Sequence, residues 1–291
     1  MITNKLRLPQ PIVEAIMNDS YSKGDADISV TEMLTPPQLV RLRRQHRDEI
    51  VEDASDRIWS LLGQAVHTII ERAGLGSLTE LTEITLYSEY GGWKVKGTVD
   101  HVTLINAELA DFKVTTAWKI RAEGPPIEWV QQTNIYRRML QKEKGITINS
   151  IAVIAILRDW SRNEAARRPD YPQAQVVRLE IPLWTVEEAD AFILERVRLH
   201  QMEIPVPCTD ADIWAKPTRW AVVKKGQVRA VKLFDGAEEA RDFAITIPGS
   251  RIDLRPGEAT RCLSWCPVSK WCGQWQADPR RPELALQLFS E

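Results

Sequence analysis

No apolar run in this 291-residue chain approaches the length needed to cross a bilayer. The opening segment MITNKLRLPQ lacks the basic-then-apolar layout of a secretory signal, so a cytoplasmic location is expected. Charge of one sign is missing too. Against 38 Lys and Arg stand 40 Asp and Glu, and a net charge of −2 does not announce a polyanion binder. There is no internal repeat and no low-complexity linker. Cysteine is scarce, with four residues all in the last third and no C-x2-C pair among them. What remains is an ordinary globular composition, 44% hydrophobic and 27% charged. Its length suits one large domain or a medium domain with an accessory.

With the total charge uninformative, local distribution decides. Arg41, Arg43, Arg44 and Arg47 lie close together, as do Arg137, Arg138, Lys142 and Lys144. The most one-sided stretch, residues 213–234, holds Lys216, Arg219, Lys224, Lys225, Arg229 and Lys232 without one acidic residue. A charge run is ordinarily a solvated face, and these gain meaning only beside a site that acts on phosphodiesters. Eleven Trp is high for this length. Most are expected to pack, and one or two to be free to stack on unpaired bases.

Periodicity organises the rest. The first fifty residues read as irregular and helical by turns, broken at Pro9, Pro11, Pro36 and Pro37, with a short helix near 28–34 capped by Ser29 or Thr31. From Asp53 to Ala73 an apolar stripe of Ile58, Leu61, Leu62, Ala65, Val66, Ile69 and Ile70 predicts an amphipathic helix. Gly63, His67 and Glu71 share a roughly opposite face. Strands are expected at 83–90, 93–105 and 108–115, joined by Gly91-Gly92 and Asn106-Ala107 as an antiparallel meander. A helix follows over 128–144, ending at Gly145, then a doubly buried strand at 151–157, a strand at 175–184 and a helix at 185–201 capped by Thr185. That order predicts an α/β fold, a mixed α+β sheet flanked by helices. Beyond Pro205 the sequence reads as a β-β-α module with a hairpin around Gly226. The expected division is an N-terminal segment over 1–50, a core over 51–207 and a cysteine-bracketed module over 208–291.

Asp100 closes one predicted strand, and Asp111-Phe112-Lys113 lies on the next. Positions i and i+2 share a face, so Asp111 and Lys113 project together while Phe112 turns into the core. A hairpin sets Asp100 beside Asp111. Two adjacent carboxylates repel unless a cation joins them, and hard oxygen ligands favour Mg²⁺ or Mn²⁺. Such a centre hydrolyses phosphodiesters, with the lysine holding the water or neutralising the phosphate. Alone, Asp-x-Lys is as easily a surface ion pair, and a lone helical His is more often structural than a ligand. Here the company matters: Gly63, His67 and Glu71, then Gly97 and Asp100, then Asp111 and Lys113, then Gln132 and Tyr136. The series resembles the RecB-type branch of the PD-(D/E)XK, or restriction-endonuclease-like, nucleases.

The resemblance implies a restriction-endonuclease-like core. His67, Asp100, Asp111 and the Phe112 backbone carbonyl would ligate the metal. Lys113 would act on the attacking water, and Gln132 and Tyr136 would position the strand or hold the lysine. Glu71 would stand behind the ligands or bind a further metal. A helix register slipped by one residue would put Gln131 in place of Gln132.

Cys208, Cys262, Cys266 and Cys272 follow a C-x53-C-x3-C-x5-C spacing. Without signs of export a disulfide framework is disfavoured, and four thiolates point to zinc or a [4Fe–4S] cluster. The loose spacing suits the cluster better, and the tail is similar to that of an iron–sulfur subgroup of the same nucleases. There, however, the first cysteine precedes the core, whereas Cys208 follows it. Inside the stapled loop, Arg219, Lys224, Lys225, Arg229 and Lys232 are candidates to grip a DNA backbone without reading bases. The expectation is an exonuclease acting on double-stranded ends or single strands of DNA, in recombination, repair or phage DNA processing. A helicase or recombinase would be a partner. The alternatives are a catalytically inactive DNA-binding scaffold on a nuclease fold, and a metal-stabilised interaction module.

Overall fold

The computed structural model describes residues 1–18, 24–74, 77–120 and 124–281. The chain divides into two compact units: Met1–Thr35 with Val51–Ile204, and Pro36–Ile50 with Pro205–Glu291. Residues 36–50, assigned from sequence to an N-terminal segment, thus group with the C-terminal part.

The first unit is built on a six-stranded mixed sheet. Its strands are β1 (Ile28–Ser29), β2 (Glu80–Tyr90), β3 (Trp93–Thr103), β4 (Glu108–Thr115), β5 (Ser150–Leu157) and β6 (Val176–Ile181). β2 and β3 form a long antiparallel pair turned by Gly91 and Gly92, both at positive φ. That geometry is open to glycine without steric cost. On its other edge β3 pairs in parallel with β1 at Val95 and Lys96, and antiparallel with β4 from His101 to Thr103. The residues between, 97–100, are free of both ladders on that edge. β4 runs parallel to β5, and β5 antiparallel to β6.

The SIAVIAIL strand is covered on both faces, as its unbroken apolar run requires. Helix α2 (Ile127–Lys144) packs Ile135, Met139 and Leu140 into the core formed by Leu86, Val95, Val99, Leu109 and Ile151. It ends at Gly145 in the left-handed conformation, whose N–H bonds the Gln141 and Leu140 carbonyls. Helix α3 (Val186–Gln201) starts on a Thr185–Glu188 capping box. Ser29, rather than Thr31, caps the short Val30–Leu34 helix. No helix among the described residues is long and apolar enough to cross a membrane.

Helix α1 (Ile58–Gly74) corrects one expectation. Its apolar stripe is not sealed into the core: Leu62 is 38% exposed and Ile69 65%. Ile58 and Leu61 pack against Val13, Ile16 and Ala54 in a separate small cluster, and Val66 and Ile70 are half-buried. The polar face of α1 looks toward the sheet across an open cleft. A second correction concerns the cluster at 137–144. Arg137 is spent on the Ile148 and Trp184 carbonyls, Arg138 forks onto Asp190, and Lys142 reaches the Glu89 carbonyl.

In the second unit, β7 (Arg219–Val223) and β8 (Ala230–Phe234) form the expected hairpin, followed by helix α4 (Ala237–Ile245). A further strand, β9 (Arg251–Arg255), pairs with the free edge of β7, so the module is β-β-α-β rather than β-β-α. Its RIDLR sequence is a half-apolar alternation too short to stand out. Val222, Phe234 and Ala240 form its core.

Candidate active site

The β3–β4 register, His101 opposite Ala110, continues to place Asp100 opposite Asp111, and residues directly opposite share a face. The Phe112 N–H donates to Asp100 Oδ2 at 2.8 Å, fastening the first acid to the second strand. Lys113 Nζ sits 2.6 Å from Asp111 Oδ2. Asp111 is 1% exposed, and its Oδ1 has no hydrogen-bond partner at all. An orphaned carboxylate oxygen at that depth is costly and could accept a further donor or hold a cation. Phe112 differs from expectation: it is half-buried, edge-on to His101 on the other side of the strand, rather than in the core.

From the opposing helix, His67 Nδ1 comes within 3.5 Å of Asp100 Oδ2. The cleft between helix and sheet has a volume of about 620 Å³. His67 and Glu71 line it from α1, with Gly63 one turn before His67, as their i, i+4 spacing requires. Gln132 and Tyr136 line it from α2, where the Gln132 amide donates to the Tyr136 hydroxyl at 2.9 Å. Asp100 and Lys113 form its floor, with Asp111 beneath.

The electrostatics follow from this crowding. Burial first, and the Asp111 carboxylate second, push Asp100 up to about 7, against Lys113, His67 and the Phe112 N–H. Burial works against the Lys113 ammonium, but Asp111 and Asp100 outweigh it and raise its pKa. His67 is raised as well, chiefly by Glu83 and against its own burial, with Asp100 and Asp111 adding to the pull.

Glu83 is the residue that sequence reading missed. Its Oε1 lies 3.8 Å from His67 Nδ1, too long for a hydrogen bond but within ion-pair range. Among the described residues, His67, Glu83 and Asp100 form the only group of three His, Cys, Asp or Glu with ligand atoms all within 4.8 Å of one another. Nothing in the local pattern marks Glu83, since it sits in an ordinary alternating strand.

Gly97 also finds its reason. A Cβ there would meet Met139 Sδ and Tyr136 Cε1, each at 3.1 Å. Glycine lets α2 approach the sheet and sets Tyr136 at the cleft wall. Gly97→Ala is expected to destabilise the protein by about 1–3 kcal/mol through this overpacking. Thermal melting checks it, and an unchanged melting temperature would contradict the close-approach explanation.

In the second unit the four cysteines line one small cavity of about 20 Å³, together with Gln38, Asp212, Arg261 and Trp275. All four are free thiols. Burial, reinforced by Asp212 and the neighbouring sulfurs, pushes Cys208 up to about 12; burial and the neighbouring thiols push Cys262 up to about 11. Cys266 is raised by burial too. The side-chain amide of Gln274 clamps Cys208 from both directions, accepting its N–H at 2.9 Å and donating to its carbonyl at 2.7 Å. Gln38 Nε2 donates to Cys272 Sγ at 3.1 Å. No three of these sulfurs lie within 4.8 Å of one another.

Of the hairpin cations, Lys224, Lys225 and Arg229 are exposed around the turn. Arg219 is paired with Asp235, and Lys232 lies over the rings of Phe234 and Phe243.

No family model matches the chain, and no curated protein does. Among solved structures, that of SSO0001 is similar over 70% of this chain and 89% of its own, at 18% identity and a TM-score of 0.47. A Eubacterium rectale protein named "Putative exonuclease" is similar over 52% of this chain and 63% of its own, at 11% identity and a TM-score of 0.29.

Proposed function

We propose that the chain is a divalent-metal-dependent DNA nuclease on a restriction-endonuclease-like core. The observation that carries this is the pair Asp100 and Asp111 on neighbouring strands, the first mostly buried at the cleft floor and the second fully buried with one oxygen bonded to nothing. Two neighbouring carboxylates share the single Lys113 ammonium there, which leaves one negative charge for a further cation to balance. His67, Asp100 and Asp111 supply its ligands, with the Phe112 carbonyl beside them. The mixed nitrogen–oxygen donor set favours Mn²⁺ over Mg²⁺. When bound, the ion supplies Lewis acidity at the scissile phosphate and acidifies a water.

The chain's own groups do the remainder. The Phe112 N–H fixes Asp100 so that its geometry does not have to be won at each turnover. Lys113, on the floor of the cleft, offsets charge gathering on the phosphate or holds the attacking water. Gln132 and Tyr136, already joined, present one wall for a strand to lie against. Glu71 stands further along α1.

The open cleft suits DNA ends and single strands. The exposed Lys224, Lys225 and Arg229 give a grip blind to sequence, and exonucleolytic action in recombination, repair or phage DNA processing fits that economy. A helicase or recombinase would deliver the ends in the cytoplasm. Nucleotide release from linear and from covalently closed DNA, each with Mn²⁺, Mg²⁺ and chelator, tests the reading. Release from linear DNA alone is expected. Binding without cutting under every ion would leave a scaffold instead.

For the thiols, a [4Fe–4S] cluster is the reading favoured over zinc. A zinc tetrahedron with bonds of about 2.3 Å brings all four sulfurs to about 3.8 Å of one another, whereas no three of these gather within 4.8 Å. Protein purified without oxygen should be coloured, and Cys272→Ser should bleach it. The same change should make residues 205–281 protease-sensitive, because their apolar clusters are small. Colourless protein carrying stoichiometric zinc would contradict the cluster.

A further inference from the structure

Glu83 carries a conformation that its surroundings do not explain. Its φ is +49°, in the middle of β2. Among the described residues the other non-glycine residues at positive φ, Arg7, Ala107 and Trp214, lie outside helices and strands. The β2–β3 register runs regularly on both sides, with Thr82 opposite His101 and Ile84 opposite Val99. Glu83 therefore falls opposite Asp100 with no residue inserted, yet drops out of the ladder. A left-handed residue inside a strand is strained and persists only where something compensates. The side chain it delivers is 31% exposed and reaches His67 and Asp100 at the lip of the cleft.

We propose that Glu83 is a direct ligand of the divalent cation, so that His67, Glu83 and Asp100 form its outer coordination face above the buried Asp111. This rests on the metal reading above and adds a residue to it. Neighbouring ligands on an octahedral ion with bonds of about 2.1 Å stand about 3 Å apart. The separations of 3.5 Å from His67 to Asp100 and 3.8 Å from His67 to Glu83 need only a small closure to reach that. Asp111, pinned by Lys113 and 1% exposed, lies opposite Asp100 on the next strand and leaves an oxygen unpartnered. One imidazole and two carboxylates from three separate elements is a built donor set, and the backbone at 83 is bent to complete it.

The test is Mn²⁺ binding by calorimetry to the metal-free full-length chain, so cleavage plays no part. Glu83→Gln keeps an oxygen that can accept from His67 but loses the anionic ligand. It should bind Mn²⁺ about 10- to 100-fold more weakly. Glu83→Gly should lose the same affinity while the metal-free protein melts at a higher temperature, since glycine accepts that φ. Nitrogen modulation of the bound Mn²⁺ spectrum should persist in Glu83→Gln, showing that His67 is still in place. Affinity within twofold of wild type in both variants overturns the inference and leaves the metal site standing. Failure of the wild-type chain to bind Mn²⁺ overturns both.

Discussion

Asp111→Asn is expected to abolish cleavage and, in the same protein, to raise the melting temperature of the metal-free form. The two effects have one origin. Asp111 is almost fully buried, with Oδ1 unpartnered and Oδ2 in contact with Lys113. Without a metal ion that arrangement holds two neighbouring carboxylates, Asp111 and Asp100, on the single Lys113 ammonium. An amide of the same shape removes the repulsion and can donate toward Asp100, while Lys113 keeps Asp100 as its counter-charge. Relief of one unsatisfied buried group contributes about 1–3 kcal/mol, and each kcal/mol moves the melting point by about 2–4 °C at this size. Cleavage should fall by on the order of 10²–10³-fold or more, because charge stabilisation in the reaction is lost. Asp111→Ala is the poorer variant, since it adds a cavity to the lost charge. Melting curves in chelator, set beside nuclease assays, check the pair. A destabilised and still active Asp111→Asn would mean that the acid serves the fold.

The second large effect is a pH dependence whose sign depends on metal. Asp100 is raised to about 7 in the fold, far above the ordinary carboxylate value. The folded chain therefore holds a proton on it that the unfolded chain has given up between about pH 4 and 7. Stability of the metal-free protein should fall as pH rises through that window and level off above it, by on the order of a few kcal/mol. His67, raised chiefly by Glu83, acts in the same direction as pH climbs past its own value. Asp53 behaves oppositely. Its carboxylate is held low by the Lys5 N–H, Thr3 and Ser55, so its contribution disappears only on acidification below about pH 4. The two windows do not overlap. Mn²⁺ should remove the decline, because a bound cation favours the ionised acids. The gap between melting temperatures with Mn²⁺ and with chelator should thus be small near pH 5 and large near pH 8. A gap independent of pH would show that Asp100 does not meet the ion.

Much of this was readable in the chain because its causes are local. The i, i+2 rule put Asp111 and Lys113 on one face, and the i, i+4 rule did the same for Gly63, His67 and Glu71 and for Gln132 and Tyr136. Strand limits around Gly91-Gly92 and Asn106-Ala107 follow from turn chemistry, and Gly145 stops α2 for the same reason. The misreadings have non-local causes. The α1 stripe looked like a core face, yet what lies over Leu62 and Ile69 is decided by the tertiary arrangement and not by period. Arg137 and Arg138 looked like a cationic patch, but carbonyls and an acid from distant segments absorb them. Glu83 was invisible because a single backbone torsion brings it to the site. Gly97 was legible as a motif position, while its purpose, room for Tyr136 and Met139, needed the packing.

On the reading proposed above, the acids at 100 and 111 share one divalent ion on which DNA cleavage depends. The most direct measurement is nucleotide release from linear DNA at pH 8, with Mn²⁺ or with chelator, by the wild-type chain and by Asp111→Asn. Release by the wild type in Mn²⁺ alone, and none by the variant, is the predicted result. Equal release by the two proteins, or none from the wild type under any divalent ion, would contradict it.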